Sequence, residues 1–155
     1  MKKILIKNEA LLAAYNILNG ASYKQMDDAD KIKLWRIARA MKPSATQFEA
    51  DSKDAAEKLK PEGVEAMLEK AREYEMKKKS GETDKLPLSD EEYQNWMQTV
   101  WVPYSNLVNK AVADIAKKEV EIEFEPLSED AFTKLMASND WQIGQVTTIG
   151  ELIVE

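Results

Sequence analysis

The chain contains no cysteine and no histidine. Thiol nucleophiles, disulfides, Cys/His zinc sites and catalysis by Ser-His-Asp or Cys-His pairs are therefore excluded within it. Carboxylates are the remaining ionic ligands, which narrows metals to hard cations such as magnesium or calcium. Glycine and proline are scarce, at 5 each in 155 residues, which suits long helices better than a turn-rich sandwich. No run approaches the roughly 18 apolar residues that a membrane-spanning helix requires. The opening Lys2-Lys3-Ile4-Leu5-Ile6-Lys7 is basic and then apolar, but its apolar run is too short for a signal-peptide core. A cytoplasmic location is the expectation. The net charge of −6 opposes a general affinity for nucleic acid or anionic lipid, while leaving room for a local basic patch.

What is present is mostly helical rhythm. Residues 2–7 read as a short strand with Ile4 and Ile6 on one face. Asn8 is placed to cap a helix that ends at Gly20, with Leu11, Leu12, Tyr15 and Leu18 as its apolar stripe. From Asp28 onward, Leu34, Ala38, Met41, Ala45, Phe48, Ser52, Ala55 and Leu59 alternate spacings of 4 and 3 in one register across Pro43. Two separate helices would have no reason to share a phase, so a single kinked helix of about 30 residues is expected, about 45 Å long. Lys60-Pro61-Glu62-Gly63 interrupts it, and Val64, Leu68 and Ala71 suggest a further helix to about residue 78. Residues 77–85 read as a charged, mobile linker.

A second long helix is announced by a capping box, Ser89 with Glu92, and by Leu88 poised to staple onto Tyr93. Tyr93, Met97, Val100, Tyr104, Leu107, Ala111 and Ile115 keep a similar seam across Pro103. Laid antiparallel with aligned ends, the two long helices would bring residue 43 opposite residue 104. Residues 120–125 alternate as a strand whose outward glutamates complement Lys3 and Lys7 on the first strand. Leu127-Ser128 starts another helix, with Leu127 able to staple onto Phe132. Asp140 is the expected cap of a last helix carrying Ile143, Val146, Ile149 and Ile153, and a terminal strand over 151–154 is the alternative. The fold class is thus α+β and mainly α: two long proline-kinked antiparallel helices, shorter helices, and a two-stranded antiparallel sheet joining the N-terminal strand to residues 120–125. One domain over 1–155 is expected, with a helical excursion and linker over 60–88.

Four groups of residues could carry function. Asp27, Asp28 and Asp30 cluster at a helix start, where complementing the helix dipole explains them without an ion. Glu121, Glu123 and Glu125 could serve acid–base work in a cleft, but a solvated strand face accounts for them fully. Lys31, Lys33, Arg36, Arg39 and Lys42 surround Trp35, an arrangement able to meet phosphates and stack a base. A solvated helix face explains the same pattern. Trp96 and Trp101 flank the second seam, and tryptophan is enriched at interface hot spots, so this flank is the expected partner or self-association surface. Packing of both under shorter helices is the alternative. No P-loop, dinucleotide or nucleophile-elbow glycine pattern occurs.

The opening Ile4-Leu5-Ile6-Lys7-Asn8-Glu9-Ala10-Leu11, the long charged helical middle, the strand Glu121-Ile122-Glu123-Phe124 and the ending Phe132…Leu135…Asn139-Asp140-Trp141 together resemble small uncharacterised proteins of phages and prophages. The resemblance implies an accessory or assembly role and supplies no active site. The leading expectation is a non-enzymatic interaction protein without a cofactor, binding an unknown protein partner or itself. The runner-up is a nucleic-acid-associated protein using Lys33, Trp35, Arg36 and Arg39. A carboxylate-metal enzyme comes third.

Overall fold

The computed structural model describes residues 1–155 and is mainly helical, with one two-stranded antiparallel sheet. In order, the elements are β1 (Lys2–Lys7), α1 (Asn8–Asn19), α2 (Asp28–Leu59), α3 (Val64–Ser80), α4 (Asp90–Trp96), α5 (Val102–Ala116), β2 (Glu119–Phe124), α6 (Glu129–Ala137) and α7 (Ile143–Ile153). A short 3-10 turn, Thr83–Lys85, lies between α3 and α4, and a π-helical turn, Met97–Trp101, joins α4 to α5. The chain forms two compact units: Met1–Asp51 with Asp114–Glu155, and Ser52–Ala113. The excursion expected over 60–88 falls within the second.

In the first unit, alternation does what it promised. β1 pairs with β2 so that Ile4 opposes Ile122 and Ile6 opposes Val120, which puts one face of the sheet on the core. Lys3 reaches Glu121 at 2.9 Å on the other face. Ile122 and Phe124 join Leu11, Leu34, Ile37, Met41, Leu127, Leu135, Ile149 and Ile153 in a single buried cluster. A two-stranded sheet is marginal alone, and this helical cover supplies the burial that holds it. The Lys2 ammonium donates to the carbonyls of Val154 (2.7 Å) and Glu151 (3.1 Å), satisfying groups at the C-terminal end of α7.

Several local expectations change. Asn8 is the first residue of α1 and not its cap. Its buried amide donates to the Ile115 carbonyl at 3.0 Å, while its backbone N–H donates to Lys118. Gly20 ends α1 with an ordinary φ of −94°; the left-handed glycines are Gly63 and Gly81, which bracket α3. Asp140 does not cap α7. Gln142 stands at that position, and its N–H donates to the Gln145 side chain at 3.0 Å. The helical reading of the C-terminus holds through Ile153, and Val154 adds one parallel bridge to Leu127. Residues 77–80 are the last turn of α3 and not linker, and Lys77 ties that turn to the Lys85 carbonyl at 2.7 Å.

α2 runs unbroken through Pro43, as the shared phase of its two halves required. Its seam is buried at Leu34, Met41, Ala45 and Phe48 and thins beyond, where Ser52 and Ala55 offer little apolar area.

The second seam departs from expectation at Leu107, its other expected residues being half-buried. Proline lacks an N–H and its ring collides with the preceding turn, and the helix meets Pro103 by opening a π turn just before it. One extra residue in a turn rotates the downstream helix face by about 100°. Leu107, expected inside, is 54% exposed; Val108 turns inward and Ala116 is buried. Tyr104 donates its hydroxyl proton to the Ala56 carbonyl at 2.8 Å, so its partner is that residue and not Pro43.

Candidate functional site

Trp35 is the anomaly of the first unit. It lies one residue beyond the buried Leu34 and is 57% exposed. At helical spacing, Ile32, Trp35, Arg39 and Lys42 make a second stripe on α2, beside the core seam. Ile32 is 50% exposed and Tyr23, on the loop before α2, is 53% exposed. These side chains border a groove of about 380 Å³, with Leu18, Ala21, Leu34 and Ala38 as apolar lining and Asn19 and Lys31 as polar lining. A second depression of about 320 Å³ shares Asn19, Trp35 and Ala38 and continues to Tyr15, Arg39 and Lys42. α1 thus forms one wall and α2 the other.

The groove is held open by the fold. The loop between α1 and α2 is pinned by Asn139 at the end of α6. The Ser22 N–H donates to the Asn139 carbonyl oxygen at 2.8 Å, and the Asn139 amide donates back to the Ser22 carbonyl at 2.7 Å. The Gln25 N–H donates to the Ser138 hydroxyl at 3.1 Å. Tyr23 sits between these ties, with the Lys31 ammonium 5.9 Å from its ring centre.

Charge is unevenly spread along the groove. Arg39 lies 5.0 Å from the Trp35 ring centre, a cation–π contact that leaves its guanidinium donors free for another partner. Arg36, Arg39 and Lys42 are all exposed, and none of them pairs with a carboxylate. At the other end, Asp28 and Asp30 stand in the first turn of α2, where Asp28 meets Lys31 at 3.6 Å. Asp27 is engaged by Lys134 at 3.0 Å.

The sequence-derived candidates separate accordingly. Trp35, Arg36 and Arg39 stand together on the exposed face. Lys33 leaves the group, because it pairs with Glu125 at 3.1 Å. Trp96 is corrected outright: it is 6% exposed and buried with Val64 and Ala71 in the core of the second unit. Trp101 is half-buried and stacks on Trp96 with ring centres 5.7 Å apart. Trp96 is buried with Val64 and Ala71 of α3 and Trp101 packs against that cluster, which is the packing alternative. Glu121 and Glu125 are paired with lysines, and no three acidic side chains gather to hold a metal ion. Sequence reasoning missed Tyr15, Tyr23 and Ile32. Ile32 carried a signal, as an apolar residue three positions before Trp35 and off the core seam.

Comparison of the chain with protein-family models, curated proteins and solved structures finds no match. No helix is long and apolar enough to cross a membrane.

Proposed function

We propose that this chain is a non-enzymatic interaction protein whose contact surface is the groove between α1 and α2. The observation that carries this reading is the exposed stripe Ile32–Trp35–Arg39–Lys42, set over an apolar floor and bordered by a loop that Asn139 holds in place. Large exposed apolar and aromatic side chains grouped around a preformed concavity are what binding sites present to partners. Tryptophan and arginine are also the residues that most often dominate interface energetics. The resemblance of both chain ends to small phage and prophage proteins supports an accessory role of this kind.

Nucleic acid is the weaker reading of the same surface. The net charge of −6 repels a polyanion at long range, and Lys33 is already committed to Glu125.

The test is a photo-reactive amino acid placed at Ile32, and separately at Glu123 on the outer face of β2, in the cells that make the protein. A discrete protein adduct at position 32 that is absent at position 123 is expected. Equal labelling at both positions, or none at position 32, contradicts the reading.

A further inference from the structure

We propose that the occupant of the groove is an acidic peptide segment with one large apolar residue; this deepens, and rests on, the reading of the groove as a binding surface. The apolar residue sits among Tyr23, Ile32 and Trp35, and the carboxylates lie toward Arg39 and Lys42.

Complementary charge gives the occupant a direction. Arg39 and Lys42 line one end of the groove without a carboxylate partner, and Arg36 stands exposed and equally unpaired on the adjoining face of α2, in a chain whose overall charge is −6. Such a chain has acidic side chains to spare, so unmatched cations grouped on one face are an opening for an external anion. Toward the opposite end, Asp28 and Asp30 stand in the first turn of α2, about one turn before the lining residues Lys31 and Ile32. A ligand charged along its whole length would bring anions against those aspartates. A segment apolar at one end and acidic at the other avoids the conflict. From Ile32 to Lys42 the helix rises about 15 Å, which about five residues of extended chain span. Arg39 matches the demand: its guanidinium carbon lies 5.0 Å from the Trp35 ring centre and no carboxylate of the chain pairs with it, so its N–H fork is available to an external carboxylate. The same contact covers part of the Trp35 ring that a nucleobase would need for stacking.

The experiment selects a random dodecapeptide display library on the immobilised full chain and, in parallel, on a Trp35→Ala/Arg39→Glu variant whose melting is first shown to match the wild type. Peptides enriched on the wild type alone should pair a Trp, Phe, Leu, Ile or Met with two or more neighbouring carboxylates. A synthetic representative should bind about tenfold more weakly to Arg39→Glu alone and should weaken further as salt is raised. Neutral or basic peptides that still depend on Trp35 would overturn the acidic chemistry and leave the groove as a binding surface. Peptides enriched equally on both proteins, or no enrichment, would overturn both. Two further arms also count against the proposal: Trp35-dependent retention of single-stranded oligo-dT, which would assign the groove to nucleic acid, and a wild-type dimer lost in Trp35→Ala, which would make the occupant a second copy.

Discussion

Asn139 and Ser22, 117 positions apart in the chain, are joined by two hydrogen bonds in which one amide side chain serves both the N–H and the C=O of a single backbone residue. The same amide also donates to Leu135, within its own helix end. Through this contact the last third of the sequence fixes a loop near its start, and with it Tyr23 at the mouth of the groove.

Replacing Asn139 with Ala strands a part-buried donor and acceptor on Ser22. The expected loss is about 1–3 kcal/mol in urea unfolding of the first unit, with looser protection of the loop amides in hydrogen exchange. Asn139→Asp keeps the acceptor but sets a carboxylate against the Ser22 carbonyl, and should do no better. A loss below about 0.5 kcal/mol for the alanine variant would show that the clamp is incidental.

The two glycines of α7 should respond to alanine with opposite signs. A methyl at Gly144 meets open space, so the gain in helix propensity stands alone at about 0.5 kcal/mol. At Gly150 the same methyl comes within 3.0 Å of the buried Phe132 ring. Overpacking of about 1–3 kcal/mol then outweighs the propensity gain. Thermal melts of Gly144→Ala and Gly150→Ala check this, and a stabilised Gly150→Ala would mean that Phe132 has room to move.

In the second unit, Tyr93 donates a short hydrogen bond to Glu75, and its ring stacks on Tyr74 at 4.2 Å. The hydrogen bond to the Glu75 carboxylate and partial burial push the phenol up to about 12 from an ordinary 10.0. The folded state therefore favours the protonated phenol. Its contribution is complete below pH 10 and is lost as pH rises from about 10 to about 12. Tyr74, hydrogen-bonded to Asp90, is also held above the ordinary tyrosine range. Ultraviolet titration should therefore show two tyrosines ionising late, and Tyr93→Phe should reduce the late amplitude by one tyrosine. An undiminished late amplitude in the variant would mean that the assignment to Tyr93 fails.

How far the sequence was legible depends on which signals are local. Strand alternation over residues 2–7 and 120–125 reports a buried face directly, and both strands and their pairing are present within a residue of expectation. The Ser89 cap is equally local: its hydroxyl accepts from the Glu92 N–H at 3.1 Å. Pro43 and Pro103 look alike in the sequence but behave differently. The first is absorbed in a continuous α-helix, and the second is met by a π turn just before it. That choice depends on tertiary packing, where Val64, Ala71 and the Trp101 ring gather around Trp96. Asn8 and Asn139 were unreadable as tethers because their partners lie far away in sequence. For the site, the basic cluster around Trp35 was visible, but nothing in the sequence said that Tyr15 and Tyr23 would form the facing wall.

Trp96 and Trp35, which the sequence put forward for two different surfaces, should differ in what they contribute to stability. Trp96→Ala removes a buried ring and should cost the second unit about 3–5 kcal/mol. Trp35→Ala removes an exposed one and should stay within about 0.5 kcal/mol of wild type.

The most direct test of the groove as the contact surface joins that stability control to binding. Cross-linking from position 32 is measured in the wild type and in a Trp35→Ala background of matched melting temperature. If Trp35 anchors the partner, the adduct disappears while stability is kept. An undiminished adduct in the stable Trp35→Ala protein would contradict the assignment.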